Sequence, residues 1–172
     1  MSDSNKQVLI LVEDMFNVFE FWYPYYRIQE AGGGVTVVGS GRKDTFIGKP
    51  ATEVTADVSA ESVAAADYDG MIIPGGYAPD MMRRFPAMVD LVKDMVTAGK
   101  PVAAICHAGW MLCSANILSG RRVTSFFAIK DDMIHAGAEW EDAAVVVDGN
   151  LITSRTPDDL PDFMRAFLSA LG

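Results

Sequence analysis

Cysteine, histidine and basic residues are all scarce in this chain, and each shortage narrows what it can do. Its 172 residues include two cysteines and two histidines. They lack the ligand spacing of a zinc site, so a metal is not expected. The cysteines are Cys106 and Cys113. A helix between them would separate them by roughly 10 Å, at about 1.5 Å per residue, whereas an unstrained disulfide needs Cα atoms within about 7 Å. Both read as free thiols. Lys and Arg number 14 against 23 Asp and Glu, a formal net charge of −9. That argues against nucleic acid or an anionic membrane as the main partner. No apolar run approaches the ~20 residues of a membrane span. The run behind the polar stretch Met1–Lys6 is too short for a signal peptide, so the expected compartment is the cytoplasm. No repeat or linker is seen, and 1–172 reads as a single domain.

What is present is apolar: half of the residues are hydrophobic, enough for a sizeable core. Val8–Val12 is a continuous apolar run, the mark of a parallel strand covered on both faces. A helix is expected from Asp14 to Ala31, stopped by Gly32-Gly33-Gly34. Phe16, Phe19, Tyr23 and Tyr26 lie on one stripe of it, and Phe21, Tyr25 and Ile28 on another. A helix apolar on two faces is covered twice, once by the sheet and once either by more of the interior or by a second subunit. Pro24 is expected to kink it. Glu20 sits among Phe19, Phe21 and Trp22. It either reaches the surface or is buried with a partner, in which case burial raises its pKa and lets it donate to a thiolate.

Further strands are expected at 35–39, 68–73, 102–105 and 122–125, with a small hairpin over 46–54 and a second one over 145–153 turning at Asp148-Gly149-Asn150. Helices are expected over the Ala-rich 58–66, over 85–98, from Cys106 to about Ser119-Gly120, and over 129–136. The last helix would be capped by Thr156, with Pro157 at its first position and Pro161 disturbing its regularity. His135 would lie at a helix C-terminus, and Cys113 in the core.

Alternating strands and helices define an α/β sandwich with a mostly parallel sheet. Such sheets bind ligands at the carboxyl ends of their strands. Glu13-Asp14, Pro74-Gly75-Gly76, Cys106-His107 and Ser125-Phe126 all follow strands and should gather on one rim. Cys106 falls at a strand-to-helix corner with small neighbours, Ala104, Ala108 and Gly109. There the turn exposes the side chain and a helix N-terminus favours its thiolate; the competing reading is an ordinary core cysteine. Gly75-Gly76 either forms part of an oxyanion hole or a simple tight turn.

Six segments carry a resemblance: Ala-Ile-Cys-His at 104–107, Ile-Pro-Gly-Gly-Tyr-Ala-Pro at 73–79, Glu20 with Tyr-Pro-Tyr-Tyr-Arg at 23–27, Ile-Lys-Asp-Asp-Met-Ile at 129–134, Ala-Gly-Ala-Glu-Trp at 136–140, and Thr-Ser-Arg-Thr-Pro-Asp-Asp-Leu at 153–160. From Gln7 to Leu171 the chain resembles the PfpI intracellular protease family of the ThiJ/PfpI superfamily. The resemblance implies a flavodoxin-like sandwich, akin to class I glutamine amidotransferases, that forms homodimers or larger homo-oligomers and uses no cofactor. It implies Cys106 as nucleophile, His107 beside it, Glu20 hydrogen-bonding the thiol, and backbone N–H groups of the 75–76 glycines and His107 as oxyanion donors. Asp80 matches an acidic residue, usually Glu, that orients the His of a neighbouring subunit. Asn17 and Phe126 stand where relatives often have Glu and Tyr, and Trp110 follows His107 where Gly-Pro is common, so these three reshape the pocket.

The implied chemistry is thiolate attack on a carbonyl, as in a glyoxalase or deglycase acting on 2-oxoaldehydes. The alternatives are an intracellular cysteine peptidase acting on peptides, and a cysteine-based stress sensor or holdase without turnover. A glutamine amidotransferase lacks support, because His135 is followed by Ala136-Gly137 rather than a His-x-Glu pair.

Overall fold

A computed structural model describes residues 5–172; positions 1–4 of the polar N-terminal stretch, and that much of the expected 1–172 domain, lie outside the described residues. Eleven strands and six helices are formed there: β1 Gln7–Leu11, α1 Val18–Glu30, β2 Gly34–Gly39, β3 Thr45–Ile47, β4 Glu53–Thr55, β5 Val58–Ser59, β6 Gly70–Ile73, α2 Ala78–Met82, α3 Pro86–Thr97, β7 Val102–Ile105, α4 Gly109–Ser114, β8 Arg122–Val123, α5 Lys130–His135, β9 Glu139–Trp140, β10 Val145–Asp148, β11 Leu151–Ser154 and α6 Leu160–Leu171.

Seven strands make the central sheet in the order β10-β11-β7-β6-β1-β2-β5. All neighbours run parallel except the β10–β11 hairpin. The sheet is therefore mostly parallel and flavodoxin-like. Residues 8–11, 71–73 and 102–105 are buried throughout, because α1 and α6 pack together as one helical group and α2, α3, α4 and α5 as another. Helices on both faces let every residue of a central strand be apolar. After β1 the chain builds β2 on one side and later β6 on the other, so a crevice opens between β1 and β6 at their carboxyl ends.

Several boundaries differ from the sequence reading. Helix α1 begins at Val18, not Asp14, because the Asn17 side chain caps it, accepting from the N–H groups of Phe19 at 3.0 Å and Glu20 at 3.3 Å. The helix runs on through the buried Pro24. Its two stripes separate: Phe21 and Ile28 are buried, whereas Phe19 and Tyr26 are 62% and 59% exposed. The Ala-rich 58–66 is not a helix but the edge strand β5 followed by two 3-10 turns. The helix expected from Cys106 to 119–120 is a 3-10 turn at Cys106–Ala108 plus α4, ending at Ser114, with Asn116 in a left-handed conformation at φ 55°. Thr156 makes no side-chain cap; Pro157 opens a 3-10 turn, and Pro161 falls in the first turn of α6, where no N–H is required. The 122–125 segment shortens to β8, which pairs with β9 outside the main sheet. The short helix α2 lies in a stretch that reads as loop because of its Gly and Pro residues.

Candidate active site

Cys106 immediately follows β7 with φ 62°, a left-handed conformation that costs a non-glycine residue of order 1–3 kcal/mol. Surrounding packing holds it there. The Phe126 N–H donates to the Cys106 carbonyl at 3.2 Å, and Gly75 approaches so closely that a Cβ there would lie 2.7 Å from Cys106 Cβ. The side chain is 8% exposed.

Glu20, on the first turn of α1, is fully buried against this elbow. Its Oε2 accepts from the Gly75 N–H at 2.8 Å. Its Oε1 is buried with no hydrogen-bond partner of its own, and the Cys106 thiol is the remaining polar group the carboxyl bears on. Burial pushes the Glu20 carboxyl up to about 8, against the opposing bonds from Gly75 and Cys106, so it holds its proton at neutral pH. Burial likewise pushes the Cys106 thiol up to about 12, reinforced by the Glu20 carboxylate and opposed by the backbone N–H groups of His107 and Gly76. The sequence reading, in which a helix N-terminus favours the thiolate, gives way to burial here. A proton on Glu20 removes the charge that opposes the thiolate.

His107 Nδ1 stands 3.2 Å from Cys106 Sγ. Its ring packs on Trp110 and Phe126, with centroids 5.1 and 5.0 Å away, and burial lowers its pKa, favouring neutral imidazole. Trp110 donates from Nε1 to Asp132 Oδ2 at 2.8 Å, and the Arg83 guanidinium lies 5.9 Å from the Trp110 ring. Cys106, His107, Glu20, Gly76, Trp110 and Phe126 are thus brought together.

Three expected residues have partners within the chain. Gly75, expected among the oxyanion donors, gives its N–H to Glu20, while the backbone N–H groups of Gly76 and His107 bear on the Cys106 thiol. Asn17 is the cap of α1 rather than a free pocket group. Asp80, on α2, pairs with Arg84 of its own chain. Cys113 is half-buried against Met133 at 3.7 Å, and burial pushes its thiol up to about 11. Sequence reasoning missed the cap at Asn17, although an Asn ahead of an apolar helix is its usual signal. It placed Ser125 on the rim without the partner of its hydroxyl, which accepts from Trp140 Nε1 at 3.0 Å and braces the loop carrying Phe126. Among the described residues, no group of three His, Cys, Asp or Glu side chains could hold a metal, and no helix is long and apolar enough to cross a membrane.

A parallel sandwich with a left-handed cysteine elbow at its strand carboxyl ends, backed by a buried carboxyl group, places the chain in the ThiJ/PfpI class of flavodoxin-like proteins. Residues 6–170 match the DJ-1/PfpI family, and the chain belongs to it. It is similar to a deglycase of Pyrococcus abyssi, 46% identical over 96% of this chain and 99% of the relative. It is also similar to YraA of Bacillus subtilis, provisionally named a cysteine protease, at 38% identity over 97% and 99%. A two-domain Anabaena variabilis protein with DJ-1/ThiJ/PfpI-like and ferritin-like domains superposes with a TM-score of 0.95 at 43% identity. That match covers 97% of this chain, which spans about half (48%) of the two-domain protein.

Proposed function

We propose that the protein is a cofactor-independent, cysteine-dependent enzyme acting on 2-oxoaldehydes or their early adducts, of the glyoxalase or deglycase type. The observation that carries this reading is the placing of a fully buried Glu20 carboxyl and, 3.2 Å from Sγ, the His107 Nδ1 against Cys106. The name of the Pyrococcus abyssi relative is in line with it.

With methylglyoxal, the Cys106 thiol adds to the aldehyde carbon. A carbon–sulfur bond forms, the carbonyl electron pair moves to oxygen, and the thiol proton passes through His107 to that oxygen. The product is a hemithioacetal, whose oxygen lies toward the Gly76 and His107 N–H groups. The imidazole takes the proton from the former aldehyde carbon as the ketone oxygen gains a proton, giving an enediol. It then returns that proton to the neighbouring carbon while the first hydroxyl gives up its own proton and becomes the thioester carbonyl, with protonated Glu20 hydrogen-bonded to the sulfur. The resulting lactoyl thioester is hydrolysed by water, which releases lactate and restores the thiol. Overall, one methylglyoxal and one water give one lactate. A peptidase would in addition need a groove for an extended chain beside Cys106, which is 8% exposed.

The test is lactate release from methylglyoxal by the wild type and by Cys106→Ser, with an unstructured peptide in parallel. Lactate from the wild type alone supports the reading. Peptide cleavage that depends on Cys106, without lactate, replaces it with a peptidase; oxidation of Cys106 at low peroxide without any turnover replaces it with a sensor.

We further propose that a second copy of the chain covers the exposed Phe19, Tyr23 and Tyr26 face of α1. Light scattering of Tyr26→Glu against the wild type tests this, a fall in mass being the expected result.

A further inference from the structure

The Glu13-Asp14 pair on the rim plays no part in the chemistry above, yet it is tied to the site. Glu13 follows β1 and is fully buried. Its carboxylate accepts from Ser40 Oγ at 2.5 Å, from Arg42 Nε at 3.3 Å and Nη2 at 3.0 Å, and from the Asp14 N–H at 2.7 Å. Arg42 Nη2 also donates to Asp14 Oδ2 at 2.8 Å, and Lys43 Nζ pairs with the same carboxylate at 2.7 Å. Asp14 Oδ1 accepts from the Ile47 N–H at 2.9 Å. Burial raises the Asp14 pKa, but Lys43, the Ile47 N–H and Arg42 outweigh it and hold the carboxyl at about 2.

The next residue, Met15, is left-handed at φ 64°. Its N–H donates to Ile47 at 2.6 Å and its carbonyl accepts from the Tyr77 N–H at 3.0 Å; two residues on, the Asn17 N–H donates to the Gly75 carbonyl at 3.2 Å. These bonds lie on both sides of Gly76, where a Cβ would overlap Met15 O and meet Asn17 N. Gly76 is the loop's donor toward the thiol.

We propose that Arg42 is a positioning residue: by holding Glu13 and Asp14 together beyond β1, it sets the strained Met15 turn, and that turn holds the Gly75-Gly76 backbone in place against Cys106. Arg42 touches no reacting atom and acts through two carboxylates and two backbone hydrogen bonds. A strained turn needs such support, since without it the backbone relaxes to an ordinary conformation. Relaxation at Met15 would release Tyr77 and Gly75 and carry the Gly76 N–H off line.

The inference rests on the reading of Cys106 as the reactive thiol, and the experiment separates the two. Alkylation of Cys106 by iodoacetamide is followed against pH in a Cys113→Ser background. Glu20 and His107, the titratable groups facing the thiol, are unchanged throughout. Arg42→Met is expected to move the midpoint upward and to slow alkylation about tenfold near neutrality, a change of one unit in thiol pKa. Arg42→Lys should restore part of the effect. Asp14→Asn, which keeps an acceptor for Ile47 but loses the ion pairs, should reproduce the shift in case Arg42→Met folds poorly. Lys100→Met is the control for stability loss alone: Lys100 binds the carbonyls of Ala65, Ala66 and Tyr68 at the other end of the sheet. It should lower Tm and leave the profile in place. If Arg42→Met and Asp14→Asn both behave like Lys100→Met, with Tm lowered and the profile unmoved, the inference is overturned. Lactate measured on the same samples reports separately on the proposed function. A shifted profile without wild-type turnover would sink that function and keep the positioning role.

Discussion

Gly75 and Glu20, 55 positions apart, are joined by a backbone N–H to carboxyl hydrogen bond of 2.8 Å in a buried site. The bond fixes the loop after β6 to the first turn of α1 and leaves the other carboxyl oxygen for the thiol.

A side chain at Gly75 should disrupt this arrangement. In Gly75→Ala the new Cβ would lie 2.7 Å from both Cys106 Cβ and Glu20 Oε2, and 2.8 Å from the Ile105 carbonyl. Overpacking of this kind costs about 1–3 kcal/mol. The urea midpoint should fall accordingly, and alkylation of Cys106 should slow even where the variant is fully folded.

Glu20 should give stability a distinctive pH dependence. Burial raises its folded pKa from 4.5 to about 8, so the folded state binds the extra proton. Its contribution is complete below about pH 4.5 and is lost as pH rises through 8. Glu20→Gln resembles the protonated form and does not ionise. The wild type should therefore lose stability relative to Glu20→Gln between pH 5 and 9, by of order a few kcal/mol. Denaturant titrations of both proteins across that range check it; parallel curves would remove the buried-proton account.

The elbow strain can be isolated by comparing two inactive variants. Both Cys106→Gly and Cys106→Ala lack the thiol, but only glycine is at ease at φ 62°. Cys106→Gly should be the more stable by about 1 kcal/mol, despite the greater freedom of its unfolded chain. Equal urea midpoints would mean that the backbone is unstrained.

Asn17 should matter through the helix rather than through the pocket. Asn17→Ala removes the acceptor for the N–H groups of Phe19 and Glu20 and should cost about 1 kcal/mol. Asn17→Asp keeps the cap and adds a charge that the helix N-terminus favours. Thermal unfolding should rank the three with Ala lowest; a neutral Ala substitution would contradict the capping role.

Much of the fold was legible because burial on both faces writes itself as continuous apolar runs. Val8–Val12 and Val102–Ile105 could be read as strands for that reason, and Asp148-Gly149-Asn150 marked the β10–β11 turn. The 58–66 stretch misled because alanine favours helix while carrying almost no directional apolar pattern. Tertiary pairing of Val58 and Ser59 with Val38 and Gly39 on β2, and the Lys100 ammonium drawing the 65–68 carbonyls together, override that preference. The helix after Cys106 was read too long because its stop lies in the left-handed Asn116 rather than in a glycine.

From the sequence alone came the mostly parallel sandwich, Cys106 at its strand-to-helix corner, and the gathering of His107 and the 75–76 glycines on one rim, while Glu20 beside the thiol came only as what the family resemblance implies. Apolar runs and small neighbours are local signals that record how each segment will be buried. Only the tertiary structure decided that Glu20 is sealed from water, that Gly75 serves the carboxyl while Gly76 faces the thiol, and that Arg42 joins Glu13 to Asp14 ahead of the Met15 turn. Desolvation and hydrogen-bond partnership arise between groups far apart in the chain, so no single segment carries them.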